Sequence, residues 1–228
     1  MYENFKYLDA VAQKEITNGV FSGSVLSVIH KGETVYLKSF GLADKEKNIP
    51  MKTDSIFRLF SMSKPVTAAA AMILIERGLL DTRHPLKWFI PEFSDPVVLD
   101  ENGERPADRD ITIGDLLTMT SGIPYPDGTP AGQKMGALWG EQSEKYLKGE
   151  KLLDTVSFAK EMGKRPLMFS PGEKWMYGAS ADIMGAVIEV VSGMKFGDFL
   201  RKEIFEPLGM NDTGFYILAE KYSRLAQC

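Results

Sequence analysis

The sequence has a single cysteine, Cys228, which is the last of its 228 residues, so no intrachain disulfide is expected. Histidine is nearly as scarce. His30 and His84 lie far apart and form no metal-binding constellation, and neither a metal nor a cofactor is expected. Long apolar runs are also missing. The longest, "AAAAMILI" and "IMGAVIEVV", fall well short of the roughly 20 residues that a membrane-spanning helix needs. The opening "MYENFKYLDAVAQKEI" places acids where a signal peptide would be basic and then apolar, so a soluble, cytoplasmic chain is expected unless a leader was removed. Charge of one sign is not in excess: 27 Lys and Arg against 31 Asp and Glu give a net charge of -4, well mixed along the chain. That balance excludes the electrostatic footprint of a nucleic-acid binder. There is no G-x-S-x-G and no alternating strand–helix pattern, which disfavours an α/β-hydrolase, and no repeat or low-complexity tract.

What is present suits an ordinary globular protein of one large or two small domains, with 44% hydrophobic and 25% charged residues. Residues 3–18 read as an amphipathic helix with Phe5, Leu8, Val11, Ala12 and Ile16 on one side. Two β-branched runs, "GSVLSVIH" and "TVYLKSFG", flank "KGE" and predict an antiparallel hairpin. Beyond it the pattern is helical: 61–77, a short piece at 85–90, 112–120 with Thr112 as N-cap, 154–163, 179–192 and 196–206. Residues 121–150, with "SGIPYPDGTPAGQ", read as a long loop of the kind that binds ligands or forms a lid. The expected division is 1–60, helix and hairpin, and 61–228, the helical region. A two-stranded hairpin is marginal in water, so either helices cover it or the rest of its sheet lies outside these residues.

The stretch "FRLFSMSKPVTAAAAMILIERG" raises the chemical question. A helix beginning near Ser61 would put Ser61 and Lys64 on one face, with the hydroxyl at the positive end. Pro65 fits the first turn, where backbone N–H groups lack intrahelical partners, and Gly78 stops the helix. The small residues that follow suit a helix buried on all sides. S-x-x-K recurs at Ser157–Lys160 and Ser192–Lys195, but the first lies on a solvated face and the second at a helix C-terminus, where the dipole opposes an alkoxide. On spacing alone Ser61 also fits an N-cap serine beside a surface lysine. A serine hydroxyl is a poor nucleophile until a neighbouring group takes its proton.

Three blocks in order, "FSMSKPVTAAAAMILIERGLLDTRHPLKWFIPEF", "ITIGDLLTMTSGIPY" and "FSPGEKWMYGASADIMGAVIEVVSG", resemble the serine hydrolases related to class C β-lactamases, penicillin-binding proteins and their carboxylesterase branch. The resemblance runs from the hairpin to "IFEPLGMNDTGF". It implies a β-lactamase/transpeptidase-like fold of the α/β (α+β) kind, an antiparallel sheet with a large helical region. It also implies a Ser61 nucleophile, Lys64, and Tyr177 as a base whose proton is drawn off by the lysine charge. Read by itself, Tyr177 is equally a core tyrosine beside Trp175. Tyr125, Trp139 and Trp175 are expected to line a substrate pocket, each with an alternative as plain core. The resemblance implies a small ester or β-lactam-like substrate.

Two departures matter. Position 179 is alanine where the family usually has asparagine, which favours esters over β-lactams. The family's third motif, K-T-G or H-x-G on a later strand, is missing, and "HKG" at 30–32 falls in the hairpin turn ahead of Ser61. The chain therefore reads as the N-terminal portion of the fold, its sheet completed by a complementary chain or a homo-oligomer. A carboxylesterase-like hydrolase leads; a β-lactamase, a D-Ala-D-Ala peptidase or a non-catalytic binding module are the alternatives.

Overall fold

A computed structural model describes residues 5–227, so the expectations for Cys228 and for residues 3 and 4 of the first helix lie outside the described residues. The chain divides into two compact units, Met1–Phe60 with Gly214–Cys228, and Ser61–Thr213.

The first unit is built on the expected hairpin. Helix α1 (Lys6–Thr17) precedes β1 (Gly23–His30) and β2 (Glu33–Asp44), which pair antiparallel from Gly23 opposite Gly41 to His30 opposite Glu33. The turn uses Lys31 and Gly32 at φ 50° and 81°, the double left-handed geometry whose twist matches that of the flanking strands. A bulge between Val28 and Ile29 interrupts the register. Short β3 (Ile49–Pro50) adds to the far side of β2, so the order is β1-β2-β3 and the outer edge of β1 has no strand partner among the described residues. Tyr36 ties α1 to β2, its hydroxyl donating to Asp9 Oδ1 at 2.5 Å.

The chain end joins this unit rather than the helical region expected for 61–228. The cause is backbone pairing: Ile56 N–H donates to Arg224, Ala226 N–H to Ile56 at 2.9 Å, and Gln227 N–H to Ala43 at 2.7 Å. Ala226 then packs with Ala43 and Met51 in a small cluster.

The second unit is a helical assembly around α6. In chain order it has α2 (Ser63–Glu76), a hairpin of β4 (Val97–Asp100) and β5 (Gly103–Pro106), α3 (Ile113–Thr118), α4 (Pro130–Leu147), α5 (Thr155–Gly163), α6 (Ser180–Ser192) and α7 (Phe196–Leu200). The chain continues from α7 into one wide turn, Arg201–Phe205. Ile183, Met184, Ala186, Val187 and Ile188 of α6 are buried, against Ala70, Ala71 and Leu74 of α2 and Ile113 and Leu116 of α3 in one core. Contrary to expectation, α2 is buried on one side only, and its Met72 is half exposed.

Two elements were not legible in the pattern. Residues 121–150 are not one loop: Thr129 accepts from Gly132 N–H as an N-cap, Pro130 takes the first helical position, and α4 runs 18 residues, burying Ala131, Met135 and Leu138. The β4–β5 hairpin is short and charged, but Leu167 bonds across to Val97 and Leu99 and closes Val98 into the core.

Asp115 anchors the approach to the site. Thr112 and Asp115 cap α3 reciprocally, and Arg109 donates to both Asp115 oxygens at 2.6 and 2.8 Å. Burial works to raise the Asp115 value, but the bonds from Arg109 and Thr112 outweigh it and leave the carboxyl below its usual range. Asp115→Ala is expected to cost about 2 kcal/mol in urea unfolding, through a lost cap and the lost bonds from Arg109 and Thr112. A carboxylate lowered by folding stabilises fully above its unfolded value of about 3.9 and loses that contribution as pH falls further. The gap between the parent and Asp115→Asn should therefore narrow below that pH.

Candidate active site

Ser61 lies in a single 3-10 turn, Phe60–Met62, immediately ahead of α2. The helix thus begins two residues later than Ser61, yet the hydroxyl still sits at the N-terminal, electropositive end of a 14-residue helix. Phe60 enters the turn at φ 46°, a left-handed value uncommon outside glycine. No side chain caps the α2 backbone, so Ser61 is not the N-cap serine that its spacing also allowed. Lys64, in the first turn of α2, donates from Nζ to Ser61 Oγ at 3.1 Å.

Tyr177 arrives from a different part of the chain. Residues 176–180 are laced to residues 119–123 by backbone and buried side-chain bonds. Met176 N–H donates to Met119 at 3.0 Å, Ala179 N–H donates to Ile123 at 3.2 Å, and the Ser121 and Ser180 hydroxyls share a bond of 2.8 Å. The approach is close enough that a side chain at Gly178 would meet the Ile123 carbonyl at 2.1 Å. The result puts the Tyr177 hydroxyl 2.5 Å from Ser61 Oγ, to which it donates. One serine oxygen thus accepts from both a lysine and a tyrosine.

Electrostatics follows from that meeting. The Lys64 ammonium foremost, with the bond to Ser61, holds the Tyr177 phenol below its ordinary value, against weaker opposition from desolvation and the Asp182 charge. Lys64 Nζ also lies 4.6 Å from the Tyr177 ring centroid and 5.4 Å from that of Tyr125. Ser61 and Tyr177 are exposed, so the arrangement is open to a substrate.

The three residues expected in a pocket separate. Tyr125 sits beside Tyr177, ring centroids 5.8 Å apart, and meets Trp139 edge-on at 5.9 Å. Trp139 continues the row to Phe158 at 5.3 Å, and its buried indole N–H finds no acceptor among the described residues. Trp175 is 66% exposed and has no part in the row. Asp182, in the first turn of α6, accepts the Tyr125 hydroxyl at 2.8 Å and was not anticipated; its only sequence signal is an acid one turn into the helix that follows Tyr177. The other two S-x-x-K pairs are occupied elsewhere, Lys160 with Glu92 and Lys195 with Glu189 and Asp154. Ala179 is fully buried at the α6 N-terminus. Among the described residues no cluster of side chains could hold a metal ion, and His84 packs on Trp88 and Phe89.

Comparison with known proteins gives this geometry a family. The chain is 35% identical over 211 residues to Esterase EstB of Burkholderia gladioli, covering 91% of this chain and 50% of that protein. It is 34% identical over 200 residues to Penicillin-binding protein 4* of Bacillus subtilis, covering 86% of this chain and 38% of that one. Among solved structures, EstCE1, a hydrolase with promiscuous acyltransferase activity, superposes with a TM-score of 0.80 at 28% identity, covering 98% of this chain and 55% of the other. The chain spans about half the length of the relatives it matches. The structural neighbours have the β-lactamase and penicillin-binding-protein fold, a mixed helix-and-sheet architecture that this chain shares over about half their length. The Beta-lactamase family model matches residues 8–228, and the chain belongs to that family.

Proposed function

We propose that this chain carries the nucleophile and proton-transfer groups of a serine hydrolase that works through an acyl-enzyme on small esters or amides, with carboxylesters preferred. The observation that carries the reading is the single Ser61 oxygen held at 2.5 Å by Tyr177 and at 3.1 Å by Lys64. Once Tyr177 gives up its phenol proton to solvent water, the bond reverses and Ser61 donates to the phenolate. Ser61 Oγ then bonds to the substrate carbonyl carbon as its proton moves to Tyr177, and the Lys64 ammonium stabilises the tyrosine charge beforehand. The oxyanion forms at the N-terminal end of α2, where the Ser61 backbone N–H is a donor. Tyr177 returns the proton to the departing alcohol as the carbonyl–oxygen bond breaks. Water repeats the sequence and frees the acid.

Ester preference rests on Ala179, which offers a buried methyl and no amide for an acylamino side chain. Likeness to Esterase EstB supports the same preference. Tyr125, which lies beside Tyr177, and Trp139, which lies beside Tyr125, are the side chains we assign to the acyl group; Trp175 stands apart on the surface.

A fluorophosphonate probe followed by intact-mass analysis should add one adduct, on Ser61. Ser61→Ala should remove it with the circular dichroism spectrum unchanged, since Ser61 caps no helix. Labelling that survives this substitution refutes the assignment, and a folded parent that never labels points to a binding module.

Lys64→Ala and Tyr177→Phe should each slow acylation by at least about 100-fold, and the double variant by little more than either, because both serve one proton transfer. The pH profile gives a separate check. A phenol lowered in the folded protein ionises at lower pH, so acylation should rise below the ordinary tyrosine range, and Lys64→Met should move that rise upward. A profile unmoved by Lys64→Met would take the lysine out of the mechanism.

A further inference from the structure

Two tyrosines face one lysine in this site, and only one of them touches the nucleophile. Lys64 Nζ stands 4.6 Å from the Tyr177 ring and 5.4 Å from the Tyr125 ring, so either phenol lies within its field. The difference lies in what each hydroxyl meets. Tyr177 meets Ser61 Oγ, a neutral oxygen, at 2.5 Å. Tyr125 meets Asp182 Oδ2 at 2.8 Å, and a phenolate there would place two negative oxygens in contact.

The backbone makes this pairing rigid. Tyr125 stands between Pro124 and Pro126, two residues beyond Ile123, whose carbonyl accepts from Ala179. Asp182 lies three residues beyond Ala179, in the first turn of α6, where a negative side chain suits the helix N-terminus. The Tyr125 ring is thus held at both ends, by its backbone and by its hydroxyl.

We propose that Asp182 is a positioning residue: by accepting the Tyr125 hydroxyl it fixes that ring against Lys64 and leaves Tyr177 as the phenol that surrenders its proton. The role assigned to Tyr177 rests on the hydrolase reading above; the pairing of Asp182 with Tyr125 does not. Burial first, then the Asp182 charge and hydrogen bond, raise the Tyr125 phenol, whereas Lys64 lowers that of Tyr177. Among the described residues, the charged and titratable groups acting on the two phenols are Lys64 from α2 and Asp182 from α6, together with each other; from α4 the neutral Trp139 packs against Tyr125.

The test uses the full chain labelled with 13C at the tyrosine ζ carbon, with Tyr125→Phe and Tyr177→Phe assigning the two resonances. In Asp182→Asn the acceptor oxygen remains and the charge is gone. Both phenols should then titrate at lower pH than in the parent, Tyr125 by the larger amount. Fluorophosphonate labelling of Asp182→Ala should slow by about 10-fold or more through the loosened ring, and Asp182→Asn should recover most of that loss. Unchanged titration of Tyr125 in Asp182→Asn overturns the proposal, as does Asp182→Ala labelling at the parental rate. If the parent itself fails to label, the hydrolase reading falls, and the titration alone still decides whether Asp182 governs Tyr125.

Discussion

Everything at the site depends on the Ile123 carbonyl accepting the Ala179 amide. That bond, with the buried pair of Ser121 and Ser180, joins the loop after α3 to the start of α6 across more than fifty residues of chain. It sets how far Tyr177 leans toward the end of α2, and hence whether a tyrosine and a serine from separate elements can share a proton. Backbone bonds suit this task because they are short, directional and costly to leave unmade when buried. Gly178 makes it possible: a β-carbon there would sit 2.1 Å from the Ile123 oxygen.

The charge balance around Ser61 follows from this placement. One cation and two phenols converge; burial and the carboxylate behind Tyr125 raise one phenol, and the lysine lowers the other. The lysine can then lie against aromatic faces while its hydrogen bond goes to the serine, and among the described residues no ion pair draws its charge away from the reacting oxygen. The other S-x-x-K lysines show the contrast. Lys195 is held by Glu189 and Asp154, and Lys160 by Glu92, so neither is available to a hydroxyl.

Spacing alone pairs Ser61 with Lys64; that Tyr177, 116 residues from Ser61, joins them was expected only from the resemblance of the three sequence blocks to one family. The hairpin, α3 with its Thr112 cap, α5 and α6 were legible because period and capping residues agree. Helix α4 was hidden because "PYPDGTPAGQ" looks like uninterrupted loop until Thr129 is seen as a cap and Pro130 as a first-turn residue. Asp182 was hidden for a deeper reason: its partner, Tyr125, is 57 residues away, and no periodicity reports a contact of that range. The place of 214–227 was lost likewise, being fixed by backbone bonds to Ile56 and Ala43 and not by side-chain pattern.

The bulge between Val28 and Ile29 has a consequence for how the first hairpin closes. Val28 lies opposite Tyr36 and Ile29 opposite Thr34, so the extra residue, Val35, belongs to β2 and β1 passes the step unbroken. Carried on evenly from Gly23 opposite Gly41, the pairing would set His30 opposite Thr34 and leave three residues in the turn. The one extra residue instead sets His30 opposite Glu33, and the strands are joined by Lys31 and Gly32 alone, the two-residue turn whose twist suits them.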